Sequence, residues 1–295
     1  MNILWIGFGK MGEPMAGRLA AAGYRVIVHD ASAERMATAA AQGFAPAKDP
    51  RAYAGEADIV ICSLPNDAVV TAVLGIAEGL VAGMKPSTLL IDTSTISVAA
   101  SAKVQEAAAR QGVLYVRAPV SGTVDAAAAG RLTSLISGPQ EALALATDIV
   151  RTYSAAVVVV GDGDKARVMK LAINLMVTTV VASLAEAYAL CCKGGIDPAI
   201  ALKAIGDSAV GTPHLRAKAS ALDTGDFKPS FTVAQICKDM TLISDAARGL
   251  GVPLLVGGAV DQIMTASAAA GFGDEDYIAC TKIVSRLAGL TDRTA

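Results

Sequence analysis

The chain has 295 residues, 53% apolar and 18% charged, with a formal net charge of -2. That balance excludes an electrostatic case for nucleic acid or an acidic membrane surface, and the length suits two domains better than one core. Five cysteines without a C-x-x-C and two distant histidines, His29 and His214, argue against a disulfide framework and a zinc site, and for reduced thiols in the cytoplasm.

Asn2 to Ile6 reads as a short apolar strand that runs into Gly7-Phe8-Gly9-Lys10-Met11-Gly12, and Met11 to Ala22 reads as a helix stopped by Gly23. Strand, G-x-G-x-x-G, helix is the fingerprint of a dinucleotide-binding crevice. Gly7 permits the tight turn, Gly9 lets a pyrophosphate approach the backbone, and Gly12 lets the helix pack closely on the sheet. Arg25 to His29 reads as the second strand and ends at Asp30. An acid about 20 residues past the glycines is placed for the adenosine ribose hydroxyls, which favours NAD over NADP because a 2′-phosphate would meet a carboxylate. The alternatives are a structural glycine turn and a solvated strand-end acid.

Asp58–Ser63 and Thr88–Asp92 read as buried parallel strands, and Ser97–Gln111 as a helix with Gly112 as its stop. Val113–Val116, Leu132–Ser137 and Ala156–Val160 are further strands, the last of them with short connections that suit antiparallel pairing. The alternation is that of a doubly wound, mostly parallel sheet. Three strand ends carry polar segments on its ligand side. Leu64-Pro65-Asn66 is placed to wall the adenosine or nicotinamide, and Thr95 to contact ribose or substrate or to cap a helix. Ser121-Gly122 either holds a carboxylate or makes an ordinary turn.

After Gly161 no strand is expected. Lys165 to Lys193 reads as one helix of roughly 44 Å at 1.5 Å per residue. Its apolar stretch raises a transmembrane question, but Asn174 and Glu186 interrupt it and a core helix is the better reading. Helices follow at Pro198–Asp207, Pro213–Ala221, Val233–Gly249, Pro253–Ala269 and Asp276–Ala288. The expected domains are 1–162, a dinucleotide-binding α/β domain, and 163–295, all helical, joined by the long helix. Lys170 and Asn174 lie one turn apart on that helix and share a face. Either they form a proton-transfer pair, with the lysine's pKa lowered by burial, or the lysine reaches solvent and the asparagine is a satisfied core group. Lys238-Asp239 on a later helix, with Phe231 before it, reads alone as a solvated charge pair. No basic segment precedes an apolar run at the start, so no secretory signal is expected.

Together these segments resemble the β-hydroxyacid dehydrogenase family, which includes 3-hydroxyisobutyrate dehydrogenase and tartronate semialdehyde reductase. The matching motifs occur in order along nearly the whole chain: Gly7 to Ala16, Leu64-Pro65-Asn66, Asp92-Thr93-Ser94-Thr95, Ala118-Pro119-Val120-Ser121-Gly122, Lys170 to Asn174, and Phe231 with Lys238-Asp239. The resemblance implies a Rossmann-type domain followed by an all-α domain, and hydride transfer between NAD(P) and a small 3-hydroxy acid or its semialdehyde. It implies Lys170 as general acid/base, and Ser121, Gly122 and Asn174 as holders of the substrate's carboxylate and hydroxyl. It also places Thr95 by the nicotinamide, Lys238 on the cofactor side, Phe231 and Asp239 closing the cleft, and a homodimer or homotetramer built by the helical domain. Rival readings are an imine reductase, which generally lacks the lysine, and a non-catalytic NAD(P)-binding sensor or scaffold. The chain departs from the family pattern at Arg117, where an acid is usual, at Thr123 for a second glycine, around Ala126–Leu132, and at Asp164 and Ala166 for glycines. Arg117 is either an added cation by the substrate loop or a surface arginine.

Overall fold

The structure is a computed structural model that describes residues 1–75 and 79–290. In chain order the first part holds β1 (Asn2–Ile6), α1 (Gly12–Ala21), β2 (Arg25–His29), α2 (Ala33–Ala41), β3 (Ala45–Pro46), α3 (Pro50–Glu56), β4 (Ile59–Cys62), α4 (Asp67–Leu74), β5 (Leu89–Asp92), α5 (Val98–Gln111), β6 (Leu114–Arg117), β7 (Val120–Ser121), α6 (Val124–Ala128), β8 (Leu132–Ser137), α7 (Gln140–Val150) and β9 (Ser154–Gly161). The second part is helical: α8 (Lys165–Lys193), α9 (Pro198–Asp207), α10 (Pro213–Thr224), α11 (Val233–Leu250), α12 (Leu255–Ser267) and α13 (Cys280–Leu287).

The strands form one sheet in the order β3-β2-β1-β4-β5-β6-β8-β7, with β9 on β8. Strands β1 to β6 run parallel. Their side chains alternate between two cores, as a sheet covered on both faces requires. Ile3, Trp5, Ile59 and Ile61 join one cluster with Met15 and Leu19 of α1, while Leu4, Ile6, Val60 and Cys62 join the other with Val70 and Val104. Strand order reverses between β1 and β4, which opens a crevice at their carboxyl ends. Helix α5 stops at Gly112 as expected, in the left-handed conformation at φ 66°, but its cap is Ser97, which accepts from Ala100 N–H, and not Thr95.

Four expectations about these elements change. The Ser121 segment is a short strand, β7, paired antiparallel with β8, rather than a bare turn. β8 is antiparallel to β6 and β7 as expected, but β9 is parallel to β8, because α7 returns the chain to the same end of the sheet. The helix expected from Pro253 starts at Leu255, and the one expected from Asp276 opens as a 3₁₀ turn at Tyr277–Ala279, with the Asp276 side chain capping Ile278 N–H.

The chain divides into two compact units, Met1–Lys170 and Leu171–Ala295, so the boundary falls inside α8, past the 162/163 division expected from sequence. The first turn of α8 is tied to the sheet by side chains described below. The second unit has its own core, in which Leu171, Val181 and Leu184 of α8 meet Leu202, Ile236, Met240 and Ile278. By length and composition α8 is apolar enough to cross a membrane, but these side chains make it a core helix of its unit.

Candidate active site

The glycine loop has the shape of a dinucleotide cradle. Gly7 sits at φ +93°, and a Cβ there would come within 2.2 Å of the Ser63 carbonyl oxygen at the end of β4. A Cβ on Gly12 would lie 2.0 Å from the Gly7 carbonyl oxygen, whereas one on Gly9 would meet nothing within 4 Å. Two glycines therefore serve close packing, and Gly9 leaves its backbone open to an approaching phosphate at the start of α1. Phe8 lends only its backbone. Its ring is fully buried edge-on against Phe44 at 5.4 Å, so the part of Phe8 that faces the loop is its main chain. The Phe8 N–H donates to Asp30 Oδ2 at 2.7 Å, and Ser32 N–H donates to Asp30 Oδ1 at 2.8 Å. Asp30 is thus fixed against the loop rather than freely solvated. Lys10 is exposed, and Met11 packs partly on the core. Arg35, which the sequence reading passed over, donates from Nη1 to the Phe8 carbonyl at 3.2 Å. Its signal was a cation on the helix directly after Asp30.

At the neighbouring strand ends, Leu64 N–H donates to Ser94 Oγ at 2.9 Å, and Pro65 is exposed. Thr95 is half-buried at the end of β5. Ser121 is half-buried opposite Thr133, and Gly122 sits at φ +141°, where a Cβ would strike Leu132 at 2.6 Å. Thr123, in the place of the second glycine, caps α6 by accepting from Ala126 N–H at 3.2 Å. The substitution therefore serves helix initiation.

Arg117 is neither a loop cation nor a surface arginine. It is 2% exposed. Its Nε donates to Asp164 Oδ1 at 2.8 Å and its Nη1 to Gln105 Oε1 at 2.8 Å, and its guanidinium lies 4.3 Å from the Tyr115 ring centre. A second buried arginine, Arg167 in the first turn of α8, donates to Asp92 Oδ2 at 2.6 Å, to Tyr115 Oη at 3.0 Å and to the Ser94 carbonyl. Asp92 also accepts from Ser94 N–H at 2.9 Å and Tyr115 Oη–H at 3.2 Å. Burial is the largest single influence and opposes the charge on Arg167, but Asp92 and Tyr115 together outweigh it and hold the guanidinium pKa above its ordinary value. Burial pushes the Tyr115 phenol up to about 12, so it stays a neutral donor. Sequence reasoning missed this cluster because its members lie far apart along the chain.

Lys170 is half-buried one turn before Asn174 on α8, not deeply buried as its chemistry suggested from sequence. In the second unit Asn174 Nδ2 donates to Asp239 Oδ2 at 2.5 Å, and Lys238 Nζ lies 2.9 Å from Asp239 Oδ1. The Asp239 carboxylate is 2% exposed. It is a buried anchor joining α11 to α8, rather than half of a solvated pair or an open cleft wall. Phe231 meets the Tyr277 ring edge-on at 6.4 Å and accepts the Tyr277 N–H on its carbonyl at 3.1 Å. No cluster of metal-ligating side chains occurs among the described residues.

Residues 2–161 match the family model described as the NAD binding domain of 6-phosphogluconate dehydrogenase. Residues 164–284 match the model described as the NAD-binding region of NADP-dependent 3-hydroxyisobutyrate dehydrogenase. The two matches mark a nicotinamide cofactor. The chain is 31% identical to 2-(hydroxymethyl)glutarate dehydrogenase of Eubacterium barkeri, over 99% of this chain and 97% of that one. Among solved structures it resembles Mycobacterium tuberculosis 3-hydroxyisobutyrate dehydrogenase with L-serine, at a TM-score of 0.87 and 29% identity over 96% and 98% of the two chains. An imine reductase from a Pseudomonas species aligns at a TM-score of 0.62 and 19% identity over 95% and 98%, a likeness of fold alone.

Proposed function

Because this chain belongs to the β-hydroxyacid dehydrogenase family and is an NAD(P)-dependent hydroxyacid dehydrogenase, we propose that Lys170 is its general acid/base toward a small 3-hydroxy acid. The observation that carries this reading is the pairing of Lys170 and Asn174 one turn apart on α8, with the Asn174 amide held by Asp239. The bound nicotinamide supplies the hydride acceptor in oxidation and the donor in reduction. Lys170 Nζ takes the hydroxyl proton as the alcohol is oxidised and returns it to the carbonyl oxygen in the reverse direction. Asn174, with one amide N–H engaged by Asp239, keeps its carbonyl and second N–H for the substrate oxygen. Ser121 and the Gly122 backbone would hold the carboxylate, and Thr95 would lie beside the reacting carbon. On the helical unit, Phe231 is the further candidate toward substrate and Lys238 toward cofactor, with Asp239 acting through the Asn174 amide. Holding the alcohol in one pose is the larger contribution of these groups.

The relatives' names span several small hydroxy acids and aldehydes, L-threonate and 3-sulfolactaldehyde among them, and one chemical unit recurs in the others. 2-(Hydroxymethyl)glutarate, 3-hydroxyisobutyrate and serine all carry a hydroxymethyl group on the carbon next to a carboxylate, and the same unit is the proposed substrate here. NAD is the preferred cofactor in this reading. The Asp30 carboxylate retains acceptor capacity for ribose hydroxyls and would repel a 2′-phosphate. Leu64 and Pro65 would wall the cofactor, with Lys10 and Met11 beside the pyrophosphate. Arg35 at the same loop supports a second reading, in which NADP is also accepted. A homodimer or homotetramer built by the helical unit is supported by the apolar surface it exposes, with Met176 65%, Leu190 75% and Leu255 85% accessible. The free thiols support a cytoplasmic location.

The test is reduction of NAD⁺ and NADP⁺ across a panel of 2-substituted 3-hydroxy acids, with the semialdehydes run in reverse. One acid should turn over with NAD⁺, and Lys170→Ala should lower kcat about 10³-fold while NADH still binds. Undiminished turnover in Lys170→Ala would defeat the mechanism. A silent wild type that binds NADH would favour a sensor.

A further inference from the structure

Arg167 does more than neutralise Asp92. One of its terminal nitrogens meets the carboxylate at 2.6 Å and the Tyr115 hydroxyl at 3.0 Å, while the other reaches the main-chain carbonyl of Ser94. Ser94 is the residue before Thr95. Arg167 is also three residues before Lys170, so the two share a side of α8 with about 4.5 Å of rise between them. One planar side chain therefore joins the helix that carries the acid/base to the strand end that carries Thr95. Both groups belong to the first unit.

Resting on the function proposed above, we propose that Arg167 is a positioning residue, which holds Lys170 and Thr95 in a fixed mutual geometry by bridging α8 to Asp92 and the Ser94 carbonyl. Two features distinguish it from a filler of space. First, a buried ion pair is a poor source of net stability, since well-packed apolar side chains of similar volume often do as well or better. What the charge supplies here is direction: the guanidinium fork fixes two acceptors at once, which a lysine ammonium cannot do in the same plane. Second, the cluster contains an internal comparison. Arg117 is equally buried and paired with Asp164, just ahead of α8, but its guanidinium donates to Asp164, Gln105, Ser101 and the Tyr115 carbonyl, none of them in the Ser94–Thr95 segment. Loss of Arg117 disturbs the same polar core without cutting the Arg167 bridge to Ser94.

The experiment compares Arg167→Met, Arg167→Lys and Arg117→Gln in the full chain. Each is assayed for kcat and KM on the active hydroxy acid, for NADH affinity by fluorescence titration, and for thermal unfolding. Misplacement of a catalytic group by about 1 Å costs on the order of 10²-fold. Arg167→Met should therefore lose about 10²-fold in kcat, with KM and NADH affinity within about threefold of wild type. Arg167→Lys, which keeps the charge beside Asp92 but not both bonds, should recover part of the loss and serves if the methionine variant does not fold. Arg117→Gln should lower the melting temperature yet keep kcat within about threefold. Equal kcat losses in the Arg167 and Arg117 variants, in step with their melting temperatures, would overturn the proposal. So would an Arg167→Lys variant with unchanged kcat. A wild type that turns over no hydroxy acid would overturn the function reading and this inference with it. An active wild type beside an undiminished Arg167→Met would overturn this inference alone.

Discussion

Lys218→Met tests the polar hub of the helical unit. Lys218 Nζ lies 2.6 and 2.8 Å from the two oxygens of Asp276 and 3.1 Å from Ser230 Oγ, and it sits 4.3 Å from the Tyr277 ring centre. The two charged side chains are 8% and 3% exposed. Removing the cation strands a buried carboxylate, a change that costs about 3–5 kcal/mol. Asp276 keeps the Ser230 N–H at 3.0 Å, the Ser230 hydroxyl at 2.8 Å and the Ile278 N–H at 3.1 Å, which stabilise the anion in part. The expected loss is therefore at the lower end, about 3 kcal/mol, or roughly 10²-fold in the unfolding equilibrium. Urea denaturation followed by far-ultraviolet circular dichroism measures it, and Trp5, the single tryptophan, reports the first unit separately by fluorescence. Adding Asp276→Asn removes the stranded charge, so the double variant should regain about 1–2 kcal/mol. A loss below about 1 kcal/mol, or a double variant no better than the single one, would refute the assignment of a cation-dependent hub. The stakes reach the site, because this hub fixes the Ser230–Thr232 segment from which α11, with Lys238 and Asp239, departs.

Gly9→Ala should leave the melting temperature nearly unchanged, since a Cβ there meets nothing within 4 Å, yet weaken NADH binding about tenfold or more by obstructing the phosphate. Gly12→Ala should damage both, because its Cβ would lie 2.0 Å from the Gly7 carbonyl oxygen; equal behaviour of the two variants in calorimetry and NADH titration would contradict the cradle. His214 bonds the Tyr277 hydroxyl at 2.8 Å, and burial first, then Lys218, lowers its pKa below the ordinary 6.5. A histidine depressed in the folded state contributes stability that is present above the unfolded pKa and lost as pH falls through the folded one. His214→Gln should flatten the fall of the urea midpoint between about pH 7 and pH 5. An unchanged slope would assign that pH dependence elsewhere.

Most of the fold was legible because its signals are local. The β1–Gly7–α1 unit, the Gly112 stop of α5 and the run from Lys165 to Lys193 are each written within a few neighbouring residues. β7 and β3, two residues each, carry too short a pattern to register, and the direction of β9 depends on where α7 returns the chain rather than on any residue in β9. The site was legible as a set of motifs but not as a set of contacts. Asp30 and Gly9 could be placed by spacing from the glycines. Asp239 could not be told from a solvated acid until Asn174, 65 positions earlier, was seen beside it. Arg167 and Asp92, 75 positions apart, gave no sign of each other in the sequence. The burial of the Phe8 ring was not legible either, because Phe44, its partner, lies 36 positions later in the chain.

The pairing of Arg117 with Asp164 ties together two of the chain's departures from its family, an arginine where an acid is usual and an acid where a glycine is usual. Neither position is free to revert by itself. An aspartate at 117 opposite Asp164 would set two carboxylates against each other in a space built for a cation, and a glycine at 164 would leave a buried guanidinium with only neutral partners. Each single step loses stability, while the two together restore a charge-balanced core. The two positions thus behave as one unit under substitution: either can be exchanged without loss only together with its partner.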